Sequence, residues 1–213
     1  MAETPIDRNP QGMDLGKVQR RRRIILLSAA VLAAALLPFV RIRGDETLLQ
    51  EVMETAGIGL IVLAILGRSW CTLYIGGRKA REIVAHGPYS ISRNPLYVFS
   101  LIGIFGIGAQ TGSLILGPLL GAIGFAVFLP VILMEERALA RRFGEAYKDY
   151  RTRVPRFGPR PSAWRDRETV PAHPRRIIQT AAEAMLLLLA IPLFEGVEWL
   201  QETDRVAALV SIP

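Results

Sequence analysis

Apolar residues in this chain are gathered into long runs. The first is Ile24 to Val40, approached by Lys17 and Arg20 to Arg23. The second is roughly Ala56 to Ile75, interrupted only by Arg68. A third begins after Pro95 and reaches Ala109, and a fourth runs from Ser113 to Met134. A fifth, Ile177 to Phe194, carries Glu183 and Pro192. Each run comes near the ~20 apolar residues a helix needs to cross a bilayer. The pattern predicts an all-α, polytopic membrane helix bundle with about five transmembrane helices. Only Gln110, Thr111 and Gly112 separate runs three and four, so these form a tight antiparallel hairpin. Gly103, Gly106, Gly108, Gly117, Gly121 and Gly124 punctuate that hairpin and read as packing positions, because small residues let helix backbones approach in lipid.

The polar segments then divide the chain. Residues 1–23 form a basic N-terminal segment and 24–75 hold the first two spans. Residues 76–160 comprise a loop, the hairpin and an amphipathic helix; 161–176 read as a linker, and 177–213 as a fifth span with a tail. The first run resembles a signal peptide preceded by a twin-arginine pair. Its long basic approach and the further apolar runs favour a retained span.

Charge sets the orientation. The net charge is +7, which in a soluble chain would raise nucleic-acid binding. Here the basic residues segregate: 6 precede the first run, 4 follow the second and 12 lie between runs four and five. The other side receives Arg41, Arg43 and Arg205. By the positive-inside rule the N-terminus, 76–95 and 135–176 are cytoplasmic and the C-terminus external. The membrane then accounts for the charge, and no nucleic-acid partner is expected. The compact loops suggest a bacterial inner membrane. Cys71 is the sole cysteine, so an intrachain disulfide is impossible, and with two histidines, His86 and His173, no metal centre is expected.

Two cytoplasmic segments carry candidate chemistry. One is His86-Gly87-Pro88-Tyr89-Ser90-Ile91-Ser92-Arg93-Asn94-Pro95-Leu96-Tyr97. Gly87-Pro88 reads as a turn, Pro95 suits a first helical turn and Asn94 its N-cap. The helix start offers free N–H groups to an anion; read structurally, it is a capped helix with Arg93 reaching lipid phosphates. The other segment opens at Glu135-Glu136, an acidic doublet that is costly at a bilayer boundary unless paired or wet. Leu139, Phe143, Tyr147 and Tyr150 follow at helical spacing, predicting an amphipathic helix, in the bland reading one lying on the membrane. The hairpin brings Arg93 and Glu135 to one membrane face, where they could grip a zwitterionic cofactor in a shared cavity.

Gly87-Pro88-Tyr89 and Arg93-Asn94-Pro95-Leu96-Tyr97 resemble the first signature of the isoprenylcysteine carboxyl methyltransferase and phospholipid methyltransferase superfamily. Glu135-Glu136, Leu139, Phe143-Gly144, Tyr147, Tyr150 and Val154-Pro155-Arg156 resemble its second. Arg68 with Trp70, and Gly77-Arg78-Lys79, fit the region ahead of the first. The similarity covers about Leu60 to Pro159. It implies an integral membrane enzyme using S-adenosylmethionine, held in the cytoplasmic segment by His86, Gly87, Pro88, Tyr89, Asn94, Pro95 and Tyr97 from one block. Glu135, Glu136, Tyr147, Tyr150 and Arg156 would come from the other. Arg93, Glu135 and Glu136 would act on the acceptor, Arg93 orienting a carboxylate or a glutamate taking a proton from an amine. The acceptor is expected to be lipid-like and to enter from the bilayer. Isoprenylcysteine-type carboxylate O-methylation is the first expectation and phospholipid N-methylation the alternative. Where the family carries His, this chain has Asn94, which keeps a hydrogen-bonding group and loses a titratable one. An NADPH-dependent sterol reductase and a non-catalytic membrane protein of the same fold are the competing classes. The Glu135-Glu136 pair resembles the methyltransferase block more than the reductase pattern, and the sequence offers no obvious site for the 2′-phosphate of NADPH.

Overall fold

The computed structural model describes residues 40–42, 48–78, 81–203 and 210–212. The N-terminal segment and the first expected span, apart from Val40, lie outside the described residues. The elements are β1 (Val40–Ile42), α1 (Leu48–Ile75), α2 (Pro88–Ile91), α3 (Pro95–Ala109), α4 (Leu116–Phe143) and α5 (Glu145–Arg153). They continue with a 3₁₀ turn at Pro161–Ala163, α6 (Pro174–Met185), a second 3₁₀ turn at Leu186–Leu189, α7 (Ala190–Glu202) and β2 (Val210–Ile212).

The fold is a helical bundle. Leu48–Ile75, Leu116–Phe143 and Pro174–Val197 are long and apolar enough to cross a membrane, whereas Pro95–Ala109 is shorter. The second apolar run is therefore a 28-residue helix that begins eight residues before Ala56, with Glu51 in its first turn facing the positive end of the helix dipole. The fifth begins at Pro174 and tightens into the 3₁₀ turn at Leu186–Leu189. Pro192 explains that irregularity, since it has no N–H to give the Leu188 carbonyl. Beyond the all-α expectation, β1 and β2 pair in parallel, Val40 opposite Val210 and Ile42 opposite Ile212.

Contacts along the helices fix their directions. A Cβ at Gly57, near the start of α1, would stand 2.3 Å from the Gln110 backbone nitrogen and 2.8 Å from the Gly106 carbonyl, near the end of α3. Only glycine allows that approach. Nearer the other end of α1, the Arg68 guanidinium donates to the Ser100 hydroxyl on α3. The two helices thus run antiparallel. The α3–α4 hairpin is antiparallel too, as expected: Gly108 abuts Gly117, and Gly124 lies against Leu101 and Ile104. Gly112 takes a positive φ of 74° in its turn. At the far end of α1, Gly76 and Gly77 meet Arg176 and His173 at the start of α6. The end of α1, the starts of α3 and α6, and the end of α4 consequently share one end of the bundle, the basic one.

The separate amphipathic helix expected from Glu135 onward is not what forms. α4 continues through Glu135-Glu136 to Phe143 and stops at Gly144, whose φ of 53° ends it; α5 then resumes at Glu145. Between Glu135 and Phe143 lies no glycine or proline, only good helix formers such as Ala138, Leu139, Ala140 and Arg141. Nothing there gives the span a reason to end. The aromatic face survives the break. Tyr147, Tyr150 and Val154 are buried together, with Leu139, Phe143, Ile83 and Ala85 packed against them.

Candidate functional site

Glu136 is the point where the two motif segments meet. Its side chain is 7 % exposed. One carboxylate oxygen, Oε1, lies 3.2 Å from Arg93 Nε, an ion pair in distance that lacks hydrogen-bond alignment. The Asn94 amide donates to the same oxygen at 3.1 Å. Arg156 approaches Oε2 with two donors, Nε at 3.1 Å and a terminal nitrogen at 2.9 Å. A buried carboxylate needs partners to remain charged, and this one has two guanidiniums and an amide. The pairing also holds Arg156 more firmly protonated.

Local backbone geometry sets up these contacts. Pro95 occupies the first turn of α3, as expected, but Asn94 caps it without a side-chain hydrogen bond. The amide turns away from the helix to Glu136 and to the Arg156 carbonyl at 3.3 Å. Ser92, which the sequence reading passed over, helps free it: its hydroxyl accepts from the Asn94 N–H and donates to the Arg156 carbonyl. The Arg93 N–H donates to Pro155 O at 2.8 Å, and the Arg93 guanidinium reaches Arg151 O at 3.2 Å. Arg93 is thus committed to the protein on two sides. Direct ion pairs fill the place where a shared cavity between Arg93 and the acidic doublet was expected.

Glu135 is also buried, one residue along α4, and its charge acts on the Tyr89 phenol. Tyr89 is 4 % exposed, and its hydroxyl has no hydrogen-bond partner. Burial first, then the neighbouring Cys71, Tyr150, Glu135 and Tyr97, hold that phenol protonated. Tyr147 is pushed up to about 12 by burial and by Glu136, and Tyr150 is raised by burial and Tyr147. All three are donors at neutral pH. Tyr150 spends its proton on Tyr89 O at 2.8 Å, clasping the second block to the first. Tyr97 is buried edge-on against Phe128, with centroids 5.4 Å apart.

The remaining first-block residues serve the frame around this centre. Pro88 is fully buried at the start of α2. The Gly87 N–H donates to Arg165 O at 2.7 Å. His86 meets Arg78, its Nε2 3.3 Å from a guanidinium nitrogen. Burial lowers its pKa, with the Arg167 and Arg78 charges adding to the effect. Its partners are Arg78 and the Tyr74 ring rather than the second block.

The expected linker 161–176 is docked, which the sequence reading missed. Arg165 N–H donates to the Ser90 hydroxyl at 3.1 Å, and Arg160 N–H to Ile91 O at 3.1 Å. Tyr74 donates to Asp166 at 2.9 Å, and Trp164 stacks on Trp70, with centroids 5.7 Å apart. Between this strap, α2 and the end of α5 lies a cleft of about 330 Å³. Trp164 and Asp166 were the available signal, an aromatic and an acid inside a run of arginines.

The two blocks are joined across an apolar hairpin through one buried glutamate, and a known pattern covers the first of them and the second as far as Ala146. The phospholipid methyltransferase family matches residues 53–146, from within α1 to the start of α5, and the chain belongs to this family of membrane methyltransferases. It is 37% identical over 170 residues to the nickel-cobalt-cadmium resistance protein NccN of Alcaligenes xylosoxydans xylosoxydans, covering 79% of each chain. It is 38% identical over 183 residues to the cobalt-zinc-cadmium resistance protein CzcN of Cupriavidus metallidurans, covering 85% of this chain and 83% of the relative. No solved structure matches.

Proposed function

We propose that this protein is a multi-pass membrane enzyme that transfers a methyl group from S-adenosylmethionine to a lipid-like acceptor. The observation that carries the reading is the clasp on Glu136, which ties Arg93 and Asn94 to Arg156 at the basic end of the bundle. The residues fit such a cofactor in charge and hydrogen bonding. A cofactor with a cationic sulfonium and an amino-acid end suits the buried acid Glu135 near a buried, unpartnered Tyr89 hydroxyl, Glu136 being taken up by the clasp. When bound, the cofactor supplies an electrophilic methyl on a sulfonium. Tyr89 donates to it, and the Glu136 clasp keeps both blocks at fixed spacing while packed Tyr147 and Tyr150 exclude water.

Among acceptors, a lipid amine suits these residues better than a carboxylate. Arg93, the group expected to orient a carboxylate, is engaged by Glu136 and Arg151 O. An amine must lose a proton, and a glutamate of the doublet is the group proposed to take it. The site would lie at the cytoplasmic face of a bacterial inner membrane. The resistance proteins it resembles suggest the setting, in which a methylated lipid changes the envelope under metal stress.

The test is calorimetric titration of the detergent-purified chain with S-adenosylhomocysteine, and with NADPH in parallel. Binding of the first alone, weakened by Tyr89→Phe, is expected. Binding of NADPH alone would overturn the reading. Lipid extracts incubated with radiolabelled methyl donor then identify the acceptor.

A further inference from the structure

The cleft beside the strap is lined by Ala85, Ser90, Tyr150 and Val154, with Arg153, Arg160 and Arg165 among its rim residues. The hydroxyl protons of its neutral polar residues are already used, that of Thr152 on Asp149 O at 2.8 Å. The Ser90 hydroxyl donates to Gly87 O at 2.7 Å and accepts from Arg165 N–H, and the Tyr150 hydroxyl donates to Tyr89 O. No carboxylate belongs to the lining. Asp166, next in sequence, accepts from Tyr74 on α1 and from the Arg167 N–H. Among the described residues no acid forms an ion pair with Arg160 or Arg165, whose side chains are exposed. The donors left for an occupant are guanidiniums, that of Arg153 less its Nε, which donates to Asp149 O at 3.2 Å, and guanidinium forks match phosphate oxygens.

The cleft is also pre-shaped. Both ends of the 160–165 strap are pinned to α2 by backbone hydrogen bonds, Arg160 N–H to Ile91 O and Gly87 N–H to Arg165 O. Its depth in the bilayer is marked by Trp164 stacked on Trp70, both partly exposed (43 % and 37 %), five residues before the end of α1. Exposed tryptophans at the end of a membrane helix sit at the headgroup level. At about 330 Å³ the cleft is at the small end of ligand pockets, enough for a headgroup and too small for whole acyl chains.

We propose that this cleft holds the phosphate of an anionic membrane phospholipid, gripped by Arg153, Arg160 and Arg165 and separate from the Glu136 centre. The lipid would anchor the strap, and through Gly87 and Ser90 the first motif, against the bilayer. The assignment does not rest on the methyltransferase reading, since the groups that grip the phosphate, Arg153, Arg160 and Arg165, have no part in it; Tyr150 is the residue the two sites share.

The experiment titrates the full-length detergent-purified chain with dihexanoyl-phosphatidylglycerol, followed by calorimetry. Dihexanoyl-phosphatidylcholine, inorganic phosphate and S-adenosylhomocysteine serve as comparison probes. Saturable phosphatidylglycerol binding is expected, weakened at least about tenfold by the double change Arg160→Gln/Arg165→Gln and by less than about twofold by Arg141→Gln/Arg142→Gln on exposed α4 positions. The binding should weaken as salt rises. Arg160→Lys/Arg165→Lys keeps the charge but loses the guanidinium forks and is expected to weaken binding about threefold to fivefold; it carries the test if the glutamine pair fails to fold, and unchanged affinity in it would overturn the proposal. Equal loss in the α4 control, or phosphatidylcholine bound as well as phosphatidylglycerol, would overturn the proposal. So would inorganic phosphate binding as tightly as the lipid, or displacement of the lipid by S-adenosylhomocysteine.

Discussion

Asn94 and Glu136 stand 42 positions apart in the chain and meet at 3.1 Å inside the bundle. Asn94 opens α3 and Glu136 lies near the end of α4, so the hairpin closes on this bond. An asparagine at a helix start ordinarily spends its side chain on the helix itself. Here it is spent across the hairpin.

Removing the carboxylate leaves buried cations behind. Glu136→Ala should lower stability by about 3 kcal/mol, because breaking a buried ion pair strands its partners. Glu136→Gln keeps the shape and should cost less. Arg156→Ala, whose side chain is 34 % exposed, should cost only about 1 kcal/mol. Thermal unfolding of the three variants in detergent checks the order, which a peripheral Glu136 would not produce.

Asn94→Asp would set a second carboxylate against Glu136. At pH 7 to 8 we expect a loss of about 2 kcal/mol, shrinking toward pH 5 as one of the pair takes a proton. Asn94→His retains a donor at this position and should stay within about 1 kcal/mol of the parent. A pH series of unfolding curves distinguishes them.

His86 makes stability pH-dependent in a definite direction. Its folded pKa lies below the usual histidine value, through burial first and the Arg167 and Arg78 charges next. The guanidinium can only donate, so Nε2 must be its unprotonated acceptor. The unfolded chain therefore takes up a proton first as pH falls. The stability from this group is complete above about 6.5 and drains away below it, until the folded state also protonates. His86→Gln, which keeps an acceptor, should flatten the curve between pH 7 and 5. An unchanged slope would assign the effect elsewhere.

Gly57 controls how closely α1 approaches α3. Gly57→Leu drives a side chain into the Gln110 and Gly106 backbone, and a loss of about 3 kcal/mol is expected. Gly59, on the open side with nothing nearby, should accept alanine within about 0.5 kcal/mol. Paired unfolding measurements on Gly57→Leu and Gly59→Ala test whether the contact or glycine loss in general matters.

Periodicity and charge made the bundle and its basic end legible, because apolar runs and arginine asymmetry are written along the chain. The Arg93-to-acidic-doublet meeting was legible too, through the short turn between runs three and four. Sequence could not say which glutamate would be clasped. Glu135 and Glu136 differ by a 100° turn of one helix, and that helix was expected to begin at the doublet rather than pass through it. The strap was hidden for another reason: its contacts are backbone bonds at Arg160 and Arg165, one ring stack and the Tyr74–Asp166 hydrogen bond, none of which leaves a hydrophobic period. Tyr147 and Tyr150, expected beside a cofactor, are packed in the joint between the blocks, a placement that helical spacing alone did not specify.

The brevity of α3 has a mechanical consequence. Fifteen residues make a rod of about 22 Å, against a hydrocarbon thickness of roughly 30 Å. Its neighbours α1 and α4, at 28 residues each, reach the full distance. On the proposed membrane placement, local thinning around α3 would take up such a mismatch and lower the headgroup plane toward Asn94. A lipid's polar end would then arrive at the site's depth without being lifted from its leaflet, and the proposed methyl transfer should slow in thicker membranes.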